Sequence, residues 1–144
     1  MATSNPFDVD AFLARSLTGR LATNGPTVRP VWYLWEDRAF WIITGPWARL
    51  RAHIQADPRI ALVVDDCDLA TGVVRQVIAH GRGEVLPFDV PRGRRKLRRY
   101  LGVDETRWDD RFRRTLSDDC RDSGTVWIRL CAGSLIVKDH SYSI

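Results

Sequence analysis

Arg75-Gln76-Val77-Ile78-Ala79-His80-Gly81 lies inside a run from Val73 to Leu86 that reads as one long β-strand, with Gly81 and Gly83 marking a bulge or bend. Working outward, Ile60 to Val64 is a strand ahead of it, joined to it by a polar loop from Asp65 to Thr71. Further upstream, Ala39 to Thr44 and Thr27 to Trp35 are strands joined at Glu36-Asp37-Arg38. Asn24-Gly25 is a hairpin turn signal that adds Gly19 to Thr23. Downstream, Thr125 to Cys131 and Ser134 to Lys138 close the sheet as a hairpin through Ala132-Gly133.

Helices punctuate this series. Val9, Phe12, Leu13 and Leu17 recur at helical spacing, so Asp8 to Leu17 is the first, capped by Asp8 or Asn5. Gly45-Pro46 ends the third strand and a helix follows from Trp47 to Ala56, with Trp47, Leu50 and Ile54 on one face and Asp57-Pro58 as its stop. Pro91 to Tyr100 and Glu105 to Leu116 are helical by composition. One domain is expected over 1–144, comprising an N-terminal helix (1–18), a barrel core (19–86), a helical insertion (90–118) and a C-terminal hairpin (125–139). Many short strands with a helix interrupting the sheet predict a mainly β, α+β fold of the Greek-key barrel type. GxGxxG, GxxxxGK[ST] and GxSxG are all missing, which removes support for Rossmann, P-loop and nucleophile-elbow readings.

Composition excludes other classes. At 44% hydrophobic and 28% charged residues the chain reads as a soluble globular protein. Met1 to Pro6 shows neither a basic nor an apolar signal region, and no apolar run approaches a bilayer span. A cytoplasmic protein with no membrane partner is expected. Cys67, Cys120 and Cys131 form no metal-like spacing and read as free thiols, most of them buried or incidental. His53, His80 and His140 are scattered, so no metal site is predicted. The net charge of +4 favours anionic partners and names none. The run Arg92-Gly93-Arg94-Arg95-Lys96-Leu97-Arg98-Arg99 spreads its charge around a helix, with Val90, Leu97 and Leu101 inward and Asp104, Glu105, Asp109 and Asp110 near enough to neutralise it. It is read as a solvated face rather than a nucleic-acid surface.

The turn Thr44-Gly45-Pro46 supplies free N–H groups ahead of a helix, and Arg49 and Arg29 are placed to reach an anion there. Taken in order, Arg29-Pro30-Val31-Trp32-Tyr33-Leu34, Phe40-Trp41-Ile42-Ile43-Thr44-Gly45, Trp47-Ala48-Arg49-Leu50-Arg51 and Arg75-Gln76 resemble the flavin-binding core of the pyridoxamine 5'-phosphate oxidase-like split-barrel proteins. The resemblance runs from about Gly19 to Leu86, with an echo at Thr125 to Asp139.

It implies a homodimer with FMN, or alternatively the deazaflavin coenzyme F-420, at the subunit interface, and hydride exchange with a small organic substrate. It places phosphate ligands at Arg29, Thr44, Gly45 and Arg49, the ring against the backbone of Pro30, Val31 and Trp32, and a side-chain amide at Gln76 beside Arg75. Two positions depart from the family's Thr-x-x-x-Ser-Arg-Lys pattern: Ala48 replaces a hydroxyl and Leu50 a cation, with Arg51 one residue on as a substitute. A non-catalytic flavin or ligand carrier is the reading those departures favour. The true vitamin B6 oxidase is not expected, because Trp127-Ile128-Arg129-Leu130 is not followed by that enzyme's substrate-gripping arm. No catalytic residue is identifiable; His53 reads as structural.

Overall fold

The computed structural model describes residues 4–117 and 123–144. Its centre is β6 (Val73–Pro87), a strand that serves two sets of partners. Along its first two-thirds it pairs with β5 (Arg59–Asp68) on one side and with β8 (Leu135–Asp139) on the other. From Gly83 to Pro87 it pairs instead with β7 (Val126–Cys131). The sheet extends from β5 to β1 (Gly19–Thr23) and β2 (Thr27–Val31), and from β7 to β4 (Ala39–Thr44) and β3 (Leu34–Glu36). All pairings are antiparallel, in the order β2-β1-β5-β6-β7-β4-β3 with β8 on β6, and the sheet curls into a half-barrel. The fold is mainly β with few helices.

Period-two alternation decides the inside. Leu62 and Val64 of β5, Val77 and Ala79 of β6, and Ile128 and Leu130 of β7 are buried, and Phe12, Leu13, Leu50 and Ile54 plug the ends from α1 (Val9–Leu13) and α2 (Leu50–Ala56). A satellite cluster of Leu97, Trp108 and Leu116 sits beneath α3 (Val90–Leu101) and α4 (Asp110–Thr115). Among the described residues no helix is long and apolar enough to cross a membrane.

Several elements differ from the sequence expectation, each for a physical reason. The expected second strand, Thr27 to Trp35, breaks at Trp32-Tyr33 into β2 and β3, which pair in different parts of the sheet. At the break the Tyr100 hydroxyl accepts from the Tyr33 N–H at 3.1 Å and donates to the Leu17 carbonyl at 2.7 Å, standing in for ladder bonds. The same contact ends the first helix early, since Leu17 must leave it to meet Tyr100; α1 stops at Leu13. The second helix starts at Leu50 rather than Trp47, because Gly45 to Ala48 closes a turn of its own (Ala48 N–H to Gly45 O, 3.1 Å). Strand β5 runs on to Asp68, so the polar loop is only the tip of a β5–β6 hairpin. The helix expected from Glu105 to Leu116 is a 3₁₀ turn, Glu105–Arg107, and then α4, interrupted where the Asp109 side chain caps the second piece.

Strands β7 and β8 are consecutive but do not form a hairpin. Both edges of β7 are occupied, by β4 and β6, so β8 crosses to the free first half of β6. Gly81 and Gly83 mark no register slip; they lie where β6 changes partners and neighbours press close. A Cβ at Gly81 would stand 2.8 Å from Leu130 Cδ1, and one at Gly83 3.1 Å from Ile60 Cδ1.

Cys67 and Cys131 are free and exposed, sitting near strand ends, while Cys120 and the last residue of the 90–118 insertion lie outside the described residues. The basic run is not a uniformly solvated face. Arg92 and Arg95 pair with Glu36 (3.0 and 2.6 Å), Arg94 and Arg98 with Glu105 (3.1 and 2.8 Å), and Lys96 is buried.

Candidate functional site

The curled sheet is open between β2 and β4. Among the described residues strand β2 pairs only with β1, and Ile42 to Thr44, beyond the reach of β3, pair only with β7. Each strand thus has one edge with no ladder partner, presenting backbone N–H and C=O groups to the gap. Into this gap opens a cavity of about 280 Å³, walled by Arg29, Pro30, Val31 and Trp32 on one side and by Ile43, Thr44, Trp47 and Ala48 on the other, with Leu50 and Lys96 completing it.

Arg29 is the anchor of the β2 wall. Its Nη2 donates to His53 Nδ1 at 3.1 Å and lies 3.3 Å from both the Thr23 and Thr27 hydroxyls. A guanidinium only donates, so Nδ1 of His53 is the unprotonated nitrogen and its ring proton sits on Nε2. His53 therefore orients the arginine. The other terminal nitrogen, Nη1, is buried with no partner. Burial lowers the Arg29 pKa, and no carboxylate pairs with it among the described residues.

Lys96 enters from α3. It is 4% exposed, and its Nζ makes no ion pair or hydrogen bond with any described residue. Desolvation pushes its ammonium down to about 7. It also lines a second, adjoining cavity of about 460 Å³, whose walls share Trp32, Ile43, Trp47 and Lys96 with the first and add Leu97, Arg111, Phe112 and Thr115. Trp32 is held flat between Tyr100, with ring centroids 4.6 Å apart and planes 6° apart, and Phe112 at 5.7 Å. Trp47 is 66% exposed and lies on Gly45, where a Cβ would approach its ring to 2.2 Å; it forms a wall of both cavities. One buried cation, Lys96, and one half-buried cation, Arg29, line the first cavity with no carboxylate among the described residues, which makes it an anion-receptive site.

The structure brings Arg29, Pro30, Val31, Trp32 and Thr44 together, with Gly45 beneath Trp47. Arg49 and Arg51 are exposed at the start of α2 and line neither cavity. Arg75 and Gln76 lie on β6, with β1 and β5 between them and β2. Arg75 pairs with Asp139 at 3.4 Å and stands over the Phe7 ring, and Gln76 registers with Asp65 and Lys138. Lys96 is the residue that sequence reasoning missed. One signal was available: Lys96 and Lys138 are the chain's only lysines, and Lys96 interrupts a run of arginines one helical turn from Tyr100. Among the described residues no group of three or more His, Cys, Asp or Glu is arranged to hold a metal ion.

An open antiparallel half-barrel with an anion-receptive gap between two free strand edges defines a cofactor-binding split barrel. A family model described as pyridoxamine 5'-phosphate oxidase matches residues 8–112, so the chain belongs to that family and carries its flavin-binding fold. Among solved structures it is similar to a conserved hypothetical protein from Mycobacterium tuberculosis (22% identity, TM-score 0.72, covering 97% of this chain and 89% of that one). It is also similar to an F-420 reductase (24% identity, TM-score 0.65, covering 91% and 98%) and to a FAD-binding protein from Mesorhizobium loti (21% identity, TM-score 0.59, covering 90% and 88%). Comparison with curated proteins finds no match.

Proposed function

We propose that this chain binds FMN, or alternatively coenzyme F-420, in the gap between β2 and β4, and acts as an oxidoreductase on a small organic substrate. The observation that carries the reading is Arg29: a guanidinium in the cavity wall, held in place by His53 and paired with no carboxylate among the described residues. A phosphate group would supply that guanidinium with the missing negative charge, and Thr44 lies in the same wall. The free edges of Arg29 to Val31 and Ile42 to Thr44 would supply backbone bonds to the cofactor's polar atoms, and Trp32 a flat surface.

A bound flavin or deazaflavin would supply hydride transfer. The chain's own contribution is to hold and orient that group and to keep water from it with Trp32, Trp47 and Ile43. Ala48 and Leu50 line the cavity where the family pattern has a hydroxyl and a cation, and this favours the deazaflavin, or a carrier without turnover, as the second reading. Arg49 and Arg51 would join only by swinging inward.

The homodimer belongs to the same proposal. The outward face of the sheet carries Ala61, Val63, Ile78 and Ile136, the last 45% exposed, and Gln76 lies on that face beside them. A second copy covering it would bring Gln76 to an interface, and with it the only route by which β6 meets a cofactor.

Visible absorbance of the purified chain after reconstitution with each cofactor, with and without a reduced nicotinamide donor, tests this. Saturable binding with turnover supports the oxidoreductase, binding without turnover supports the carrier, and no binding of either cofactor contradicts the proposal.

A further inference from the structure

Lys96 is a buried amine with no partner among the described residues, and it lines a cavity. Three features of its surroundings narrow what that cavity accepts. The walls are aromatic and aliphatic: Trp32, Trp47, Phe112, Leu97 and Ile43. Its volume of about 460 Å³ falls within the usual range for a small-molecule site, roughly 300–1,000 Å³. Its polar groups are few. Arg111 is exposed at the rim and shared with Asp109 at 3.5 Å, Thr115 offers one hydroxyl, and Lys96 is the one cation buried in the wall. A single uncompensated positive charge among flat apolar surfaces matches a ligand with a single negative charge on a flat apolar body.

We propose that the larger cavity is a substrate subsite for a small planar carboxylate, held by an ion pair to Lys96 Nζ and packed against Trp32, Trp47 and Phe112. Calling the ligand a substrate rests on the cofactor reading above; the binding claim itself stands on the cavity and on Lys96. The burial that lowers the amine's pKa to about 7 makes the site pH-sensitive in a defined direction. A bound carboxylate stabilises the ammonium, so binding takes up a proton above pH 7 and affinity falls as pH rises. The other charged groups lining the two cavities among the described residues are Arg29 from β2 and Arg111 from α4, both guanidiniums, so the slope is assigned to Lys96.

The test titrates the full chain with trans-cinnamate, read by tryptophan fluorescence, alone and with FMN or the deazaflavin present. Acetylation of lysines by an activated ester, resolved by peptide mass spectrometry, uses Lys138 as the internal reference. The expected results are saturable quenching, protection of Lys96 but not Lys138, and affinity falling about tenfold per pH unit above pH 7. In Lys96→Met, which keeps the unbranched stem and removes the amine, cinnamate affinity drops more than about tenfold while a cooperative thermal transition remains. No binding by the parent chain, equal binding by Lys96→Met, or equal binding of uncharged cinnamyl alcohol would overturn the proposal. Competitive displacement of cinnamate by the cofactor would do so too, since the cavity would then be part of the cofactor slot. Cofactor affinity is read separately from visible absorbance, so failure of the cofactor reading leaves the carboxylate result standing.

Discussion

The Trp32 indole lies flat on the Tyr100 ring, with centroids 4.6 Å apart and planes within 6° of parallel. This contact joins the break in the β2–β3 strand to α3, and so places Lys96, one turn before Tyr100, in the wall of both cavities. The Tyr100 hydroxyl completes the joint through Tyr33 and Leu17.

Tyr100→Phe keeps the ring stack and removes the hydroxyl. The Tyr33 N–H and the Leu17 carbonyl then lose their partner, at a cost of about 1–3 kcal/mol. Urea unfolding is expected to show a lower midpoint with an unchanged slope. An unchanged midpoint would mean that water replaces the hydroxyl without loss.

Lys96→Met should stabilise the protein while impairing ligand binding, because it removes a buried charge that has no partner among the described residues. Since the folded-state pKa is about 7, below the ordinary lysine value of 10.5, the unfolded chain binds more protons between those values and parent stability rises with pH across that window. The gain from Lys96→Met is therefore fully present below pH 7 and shrinks as pH rises toward 10.5. Thermal melts of both proteins at pH 6 and pH 9.5 measure it; a gain that grows with pH contradicts the assignment.

How far the sequence revealed this molecule depended on whether the information was local. The segments at Arg29 to Trp32 and at Thr44 line one cavity, although the strand expected to run through Trp32-Tyr33 breaks there and β2 and β4 do not pair. The β7–β8 hairpin was misread because Ala132-Gly133 is a good turn, whereas the occupancy of both β7 edges is a property of the whole sheet. Lys96 was assigned to a solvated face because the orientation of α3 is set by Tyr100 reaching Tyr33, a contact 67 residues away in sequence. Leu50 read as a lost cation; in the structure it also packs with Ile54 in the core, so the substitution has a packing role as well.

Glu36 provides an acid-sensitive tie between the β3–β4 turn and α3. Hydrogen bonds from Arg95 first, and then Arg92, hold its carboxyl below the usual value of 4.5. The depressed pKa means that the stabilisation is present above that value and is lost as pH falls through and below it. Glu36→Gln should flatten the fall in melting temperature between pH 5 and pH 3, read by circular dichroism. An acid limb identical to that of the parent would show that the tie contributes nothing.

Tyr33 is fully buried with an unpartnered hydroxyl, and that burial raises its pKa. Tyr33→Phe removes a polar atom that has nothing to bond, so a stability gain of about 1 kcal/mol is expected in chemical denaturation. A loss of stability would reveal a bound water or ligand as the partner of the hydroxyl.

The most direct test of the central claim compares FMN and coenzyme F-420 affinities of the parent, Arg29→Met and Arg49→Ala by visible-absorbance titration. Loss of charge-assisted bonds worth about 1.5–3 kcal/mol should weaken binding roughly ten- to hundredfold in Arg29→Met, with a smaller effect in Arg49→Ala. Parent-like affinity in Arg29→Met, or no binding of either cofactor by the parent, would contradict a cofactor site between β2 and β4.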